Sequence, residues 1–229
     1  MRRPADLSED DLSKLSQYLG NGGKIYLSID YSKWHDLTNF KKLLSDNNIE
    51  TTESLLAETD RSYYYQRPFY LLPNVENTEV SSSVAGMTQV FVPYSVGLTY
   101  TGEDDSNVTS FMTTSDTTIA KAAANIAAVQ SQADAANIAS AQDGDTQGQY
   151  SLGMMVTNEN GGELCVLGSA MMCTDSANQI VSGHNATLFN GIVNALVTTD
   201  DGNSDNAVVI AAKDYTVSNL TVSANAMLV

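Results

Sequence analysis

The chain begins with a pattern of apolar residues that predicts a helix followed by a strand. Ser8 can cap a helix, and the three acidic residues after it suit the positive end of the helix dipole. Leucines then recur at helical spacing: Leu12, Leu15 and Leu19. The glycines within residues 20–23 predict the end of this helix, because glycine tolerates the left-handed conformation. The apolar residues 25–29 predict a short strand directly afterwards.

A second helix and strand follow in the same order. The apolar face of the predicted helix, within residues 37–47, consists of Leu37, Phe40, Leu43 and Leu44. Residues 49–52 then form a short extended segment. This alternation favours an α/β fold with a mostly parallel sheet flanked by helices.

The rest of the chain carries the patterns of further strands and of one long helix. Strands are predicted at residues 88–93, 97–100, 108–112, 152–157 and 164–167, with a short helix at 78–85. The acidic residues 103–105 lie between two of these strands and predict a solvated hairpin tip. The spacing at 185–197 indicates a strong helix, and 207–212 is one more apolar segment.

The stretch 116–149 differs in character from its surroundings. Alanine dominates it, with Asn, Gln and Ser in between, and its apolar stripe is thin. Alanine favours helix, so the pattern predicts a surface helix or a partly disordered insertion. We therefore expect one α/β domain over residues 1–229, with a variable insertion at about 116–149.

Charge narrows the possible partners. Eleven Lys and Arg stand against 27 Asp and Glu, which leaves a formal net charge of −16. Such a chain is a poor binder of nucleic acid, because it cannot replace the counterions of the phosphates. An anionic membrane surface would also repel it. The abundant Ser, Thr and Asn are common on surfaces outside the cytoplasm.

No stretch approaches the ~20 apolar residues that span a bilayer. The basic residues at the start are not followed by the apolar region of a signal peptide. The chain is therefore either cytosolic or a piece of a longer protein.

The two cysteines do not have the surroundings of a nucleophile. Cys165 lies inside an apolar strand, and Cys173 follows two methionines, whereas a nucleophile elbow needs small neighbours. His184 and His35 are the available bases, and His184 is interpreted as a polar residue at a helix start. We predict two structural thiols and no enzyme. A disulfide between them stays open, because spacing does not determine geometry.

Metal and cofactor motifs are missing from the sequence. The acidic run 200–205 suggests calcium, but an EF-hand loop that starts at Asp201 requires Gly at 206 and Glu at 212. Those positions hold Asn206 and Ala212. The glycine pairs 22–23 and 161–162 are not phosphate loops either. We expect no metal site and no cofactor.

Aromatic residues concentrate in one segment, residues 63–70. The candidate binding residues there are Tyr63, Tyr64, Tyr65 and Tyr70. They suit either a ligand-facing aromatic patch or an edge strand that packs on the core. Both interpretations stay open at this stage.

Several short stretches carry a family resemblance. They are residues 4–12 with 18–24 (PADLSEDDL and YLGNGGK), Asp30 with 37–40 and 43–44, 113–116 (TTSD), 163–170 (ELCVLGSA), and Asn185 with 188–190 and 193–194. Together they resemble the extracytoplasmic domain of the gliding-motility-type (GldG-like) auxiliary components of ABC transporters. The match departs at Ala170, where a polar residue is usual, and in the alanine-rich insertion.

The resemblance implies a class I glutamine amidotransferase-like (flavodoxin-like) fold without its catalytic cysteine. It also implies a non-catalytic interaction domain on the extracytoplasmic face, anchored by transmembrane segments outside this chain. Its partners would be the permease or other membrane subunits. Asp30 and Ser169 follow predicted strands, where ligands of open α/β sheets bind, and are candidate partner contacts. The alternative is a small-solute or glycan binding protein that uses residues 63–70.

Overall fold

The first helix and strand form where the apolar spacing predicts them. The computed structural model describes residues 6–86, 89–125, 138–197 and 207–211, the last range as backbone only. Helix α1 spans Glu9–Gly20 and strand β1 spans Lys24–Ser28. Ser8 Oγ accepts from the main-chain N–H of Asp11 at 3.1 Å, and the Asp11 carboxylate accepts from Ser8 N. The predicted cap is therefore a complete capping box.

The next elements are α2 (Tyr31–Trp34), α3 (Thr38–Ser45), β2 (Ile49–Ala57), β3 (Tyr70–Leu71), β4 (Asn74–Val75), β5 (Val92–Pro93), β6 (Val96–Tyr100) and β7 (Val108–Thr113). Of these, α3, β2, β5, β6 and β7 lie where the sequence predicts a helix or a strand, with some changes of length, whereas α2 and β4 were not predicted. Strand β2 is longer than predicted, because its apolar end continues to Ala57. Residues 79–86 form turns, so the predicted helix at 78–85 is wrong.

The remaining elements are β8 (Ile119–Ala120), β9 (Thr146–Gln147), β10 (Ser151–Thr157), β11 (Glu163–Leu167), α4 (Asp175–Ile180), α5 (His184–Val197) and β12 (Ala207–Ala211). Strands β10 and β11 and helix α5 confirm their predictions. In the insertion, β8 pairs with β2 and β9, while residues 126–137 of the predicted surface helix lie outside the described part. Within the described residues, no helix has the length and hydrophobicity needed to cross a bilayer.

The predicted parallel, flavodoxin-like sheet is wrong. Apart from β3 and β5, which pair only with each other, the described strands form a mixed sheet in the order β12-β1-β11-β10-β6-β2-β8-β9, with β7 beside β10 and β4. Among these strands the two parallel pairs are β1 with β11 and β1 with β12, and the other pairs are antiparallel. The two helix–strand units do not form one crossover, because β11, β10 and β6 separate β1 from β2. The short turn at 158–162 joins β10 and β11 as an antiparallel hairpin, whereas the other antiparallel pairs bring together strands that lie far apart along the chain.

The acidic turn at 103–105 is not a hairpin tip either, since β6 and β7 do not pair with each other. Both instead pair with β10, around Ser151. Hydrophobic alternation identifies the buried face of each strand, but not the strand beside it.

The sheet is covered on both faces, which explains its near-continuous apolar strands. From β1, Ile25 and Leu27 pack with α1 and α3, while Tyr26 packs with α5 on the other face. From β11, Val166 lies on the α1 side and Cys165 on the α5 side. The carboxyl ends of β1 and β11 therefore emerge side by side between these layers, next to the loops described below.

Candidate interaction surface

Six aromatic rings from three separate parts of the chain form one cluster beyond the end of β1. We call it the aromatic cluster; its members are Tyr31, Tyr65, Phe69, Tyr70, Phe91 and Tyr94. Tyr94 stacks on Phe69 at 4.8 Å and on Tyr31 at 5.5 Å between ring centroids. Tyr70 meets the edges of Phe69, Phe91 and Tyr94 at 5.0–5.5 Å. Such edge-to-face and offset pairs stabilise a cluster beyond their burial alone.

The cluster has a buried base and an exposed rim. Phe69 and Phe91 are 1% and 3% exposed, whereas Tyr65 is 39% exposed, one of the most exposed large apolar residues described. Tyr31, Tyr70 and Tyr94 are half-buried. Beneath them lies a small core of Leu55, Ala57, Phe69 and Ile138. The buried rings therefore pack on the core, while the tyrosines at the rim are partly exposed to solvent.

Tyr94 is held in an unusual backbone conformation. Its φ is +53°, in the left-handed region that bulky residues rarely adopt. The main-chain N–H of Tyr94 donates to Phe69 O at 3.0 Å, which ties the two strand ends together. Burial raises the pKa of the Tyr94 hydroxyl, and its hydrogen bond with Tyr70 and the nearby Tyr70 and Tyr31 hydroxyls raise it further. Backbone strain of this kind concentrates at functional positions.

The buried carboxylate of Glu58 anchors the loop that carries the tyrosines. Its Oε1 accepts from the main-chain N–H groups of Thr59 at 2.8 Å and Asp60 at 3.1 Å. The Ser115 and Thr118 hydroxyls donate to the same carboxylate at 2.8 and 2.7 Å. Glu58 is 1% exposed, so these bonds replace its lost hydration. The base of the aromatic loop is therefore rigidly attached to the segment after β7.

Asp30 lies at the rim of the cluster and acts as a helix cap. Its carboxylate accepts from Ser32 N at 3.1 Å and Ser32 Oγ at 2.7 Å, and lies 3.6 Å from Lys33 Nζ. Tyr31, the residue after Asp30, stacks in the cluster. The structure thus places this predicted residue beside the aromatic segment.

Ser169 is close to the cluster but inaccessible. It is fully buried, and its hydroxyl donates to the main-chain oxygen of Pro93, the residue before Tyr94. It supports the surface from behind, and its hydroxyl is not exposed to a partner.

The predicted tyrosines divide into two groups. Tyr65 and Tyr70 belong to the cluster, while Tyr63 and Tyr64 form the adjoining turn. The Arg61 guanidinium lies over the Tyr64 ring, with its central carbon Cζ 4.6 Å from the ring centroid. Tyr65 N donates to Tyr70 O at 2.8 Å, so the segment closes on itself instead of forming an extended edge strand.

Sequence reasoning missed Tyr31, Phe91 and Tyr94. A signal existed: Tyr31 and Tyr94 are aromatic residues directly beyond predicted strands. What the sequence did not show is that β1 and β5 end at the same place in the fold.

Neither the cysteines nor His184 is a member of the aromatic cluster. Cys165 is fully buried, and burial raises the pKa of its thiol. Both cysteines are free, and the Cys173 thiol contacts the Tyr26 hydroxyl at 3.3 Å. His184 Nδ1 lies 2.8 Å from Gln89 O, so its ring bonds to the main chain. The acidic run 200–205 lies outside the described residues, within which no three metal-ligating side chains come together.

Two surface cavities in the described part of the chain lie elsewhere. One, of about 230 Å³, separates residues 79–83 from α5, and the other, of about 40 Å³, adjoins Trp34 and Lys41. Residues 63–70 line neither of them. The aromatic cluster is therefore a surface and not the wall of either cavity.

Comparison with known proteins identifies the fold but not the family. Neither a protein-family model nor a curated protein matches the chain. Among solved structures, the mmIFT52 N-terminal domain is similar, with a TM-score of 0.57 and 18% identity over 85% of this chain and 74% of that chain. This likeness supports the mixed sheet, and at such identity it concerns the fold alone.

Proposed function

We propose that the chain is a non-catalytic interaction domain of an ABC-transporter auxiliary membrane protein. It is held on the extracytoplasmic side and contacts the permease or another membrane subunit through the aromatic cluster. The sequence resemblance to the gliding-motility-type family supports the transporter context. The exposed rings of the aromatic cluster support it as the contact surface.

The observation that carries the proposal is the construction of the aromatic cluster. Three chain segments, a buried carboxylate and a strained tyrosine hold exposed rings over an apolar base. Aromatic residues at the centre of an interface supply much of its binding energy, because they bury a large area at little entropic cost. A rigid, shallow surface of this kind fits a protein partner.

The test is co-purification of the full-length protein from its native membrane. Wild type is compared with Tyr65→Ser and with Ile180→Ser, a matched variant on α4 whose residue is 42% exposed, close to the 39% of Tyr65. We expect wild type and Ile180→Ser to recover a transporter subunit equally. Loss of the Tyr65 ring should lower recovery about tenfold, the effect of a moderate hot spot.

Two results would contradict the proposal. One is recovery of the wild-type protein without any transporter subunit. The other is equal loss with both variants while circular dichroism shows both folded. Saturable binding of an oligosaccharide, abolished by Tyr65→Ser, would instead favour the alternative of a glycan-binding protein.

A further inference from the structure

We propose that the aromatic cluster binds an acidic segment of its partner protein, with Arg61 as the residue that recognises a carboxylate. This inference rests on the proposed function and specifies the chemistry of the partner. Arg61 is exposed, lies in the turn that leads into Tyr64 and Tyr65, and contacts Tyr64.

Among the described residues, Arg61 differs from the lysines in that each lysine forms an ion pair with a carboxylate and Arg61 does not. Each described lysine has a carboxylate within 3.6 Å: Lys14, Lys24, Lys33, Lys41, Lys42 and Lys121. Across the same part of the chain, Arg61 forms no ion pair. Its guanidinium instead stacks over the Tyr64 ring and donates from Nη1 to Tyr64 O at 3.1 Å.

This arrangement leaves Arg61 suited to an external carboxylate. A guanidinium has five N–H donors in a planar fork, and the bond to Tyr64 O uses one of them. Stacking on the ring fixes the plane, so less entropy is lost when a carboxylate binds in bidentate fashion. Arginine is the preferred residue for such recognition.

The carboxylates near the aromatic cluster already have hydrogen-bond or ion-pair partners within the protein. Asp60 accepts from Ser62 N at 2.8 Å, Asp30 pairs with Lys33, and Glu58 is buried beneath hydroxyl donors. The segment 61–70 itself contains two arginines and no acidic residue, in a chain of net charge −16. Most of the molecular surface therefore repels an acidic partner, whereas the segment 61–70 does not. This difference directs the partner's acidic segment to the aromatic cluster.

The exposed rings favour a peptide chain over a small anion. A lone carboxylate would cover Arg61 and leave Tyr65 in water. A polypeptide with acidic and apolar side chains covers both, and tyrosine and arginine are enriched in interfaces between proteins.

The experiment uses site-specific photo-crosslinking of the full-length protein in its native membrane. A photoreactive phenylalanine replaces Ser62, an exposed residue beside Arg61, and in a control replaces Gln179 on α4, which is also exposed. Mass spectrometry then identifies the crosslinked segment. We expect Ser62 to crosslink to a segment of another polypeptide rich in Asp and Glu, and Gln179 not to do so.

Variants of Arg61 give the quantitative test. Arg61→Gln should lower the crosslink yield about tenfold, and Lys14→Gln on α1 should leave it unchanged. Arg61→Glu should abolish the crosslink, and replacing the partner's acidic residues by lysine should restore it.

Each other outcome contradicts the inference. Crosslinks to neutral or basic segments, to lipid or to glycan exclude an acidic peptide, as does an unchanged yield with Arg61→Gln. Absence of any crosslink at Ser62 above the Gln179 control also excludes it. Recovery of a transporter subunit in the co-purification would still stand in these cases, so the failure of this inference is distinct from that of the proposed function.

Discussion

At the scale of single residues, a buried ion pair closes the base of the alanine-rich insertion. Lys121 Nζ lies 2.7 Å from Asp145 Oδ2, and both side chains are at most 1% exposed. Lys121 also donates to Ser140 O at 2.9 Å, and Asp145 accepts from Ala122 N at 2.7 Å. The two described ends of the segment are therefore joined inside the protein, which the sequence pattern did not indicate.

We predict that Asp145→Asn is strongly destabilising. It leaves the Lys121 ammonium buried without a counter-charge, which costs about 3–5 kcal/mol in the free energy of unfolding. Urea denaturation measures the loss. The control is Asp46→Asn, which removes the exposed pair with Lys42 and should cost less than about 1 kcal/mol. Equal costs for the two variants would show that the buried pair does not stabilise the fold.

The same carboxylate gives the protein a specific sensitivity to acid. Burial opposes ionisation of Asp145, but hydrogen bonds from Lys121, Asn125 and the main chain outweigh it and lower the pKa from 3.8 to about 2. Because the folded value is the lower one, its contribution is present above about pH 4 and is lost as the pH falls towards 2. We expect the stability difference between wild type and Asp145→Asn to shrink by about 2 kcal/mol over this range. A constant difference in urea titrations would contradict this.

A further prediction concerns the Tyr94 hydroxyl at alkaline pH. Its pKa is raised in the folded protein, so the folded state keeps this proton longer than the unfolded state does. The resulting stability is present below about pH 10 and is lost as the pH rises beyond it. Tyr94→Phe should therefore lose less stability than wild type between about pH 9 and 11. Equal losses of stability in wild type and Tyr94→Phe over this pH range, measured by urea denaturation, would contradict the prediction.

At the scale of elements, the main chain of Gly168, directly after β11, packs against the main chain at the start of β6. Val96 N donates to Gly168 O at 3.0 Å, and Gly168 N donates to Leu152 O at 2.9 Å. A Cβ on Gly168 would collide with the main-chain oxygen of Val96 and with Ser95 Oγ. This approach brings Ser169 against Pro93 and so supports the aromatic cluster from behind.

We predict that Gly168→Ala destabilises the protein by about 2 kcal/mol or more, because the contact is with backbone and cannot relax cheaply. Gly148→Ala is the matched control, since nothing lies within 4 Å of its Cβ position. It should change stability by less than about 1 kcal/mol. Thermal and urea unfolding distinguish the two variants, and a mild effect of Gly168→Ala would refute the close packing at β11.

At the scale of the whole molecule, stability does not depend on a disulfide. The two cysteines are free, with Cys165 in the core and Cys173 exposed. We expect Cys173 alone to react with a thiol reagent in the native chain, slowly because burial raises the pKa of its thiol, and both thiols to react in urea, because the fully buried Cys165 is protected until the chain unfolds. Cys173→Ser should abolish the native reaction. The melting temperature should be the same with and without reductant, and a lower value with reductant would reveal a disulfide.

Part of the candidate site was visible in the sequence. Tyr65, Tyr70 and Asp30 were predicted as candidate binding residues, because a concentration of aromatic residues and the end of a strand can be recognised locally in the sequence. In the structure they lie in or beside the aromatic cluster. Tyr94 and Phe91 were not predicted, since their role depends on β5 lying beside β3. The buried anchors Glu58 and Ser169 depend in the same way on contacts between residues far apart in the chain.

The sequence by itself determined the local elements and their buried faces. Caps, helical spacing and apolar runs specify α1, α3, α5, β1, β10 and β11, because these signals act within a few residues. Only the tertiary structure decided which strands pair and in which direction, so the sheet is mixed and not parallel. The reason is that apolar alternation encodes burial, which any neighbouring strand can satisfy. Strand order and the assembly of the aromatic cluster follow from the packing of the whole chain.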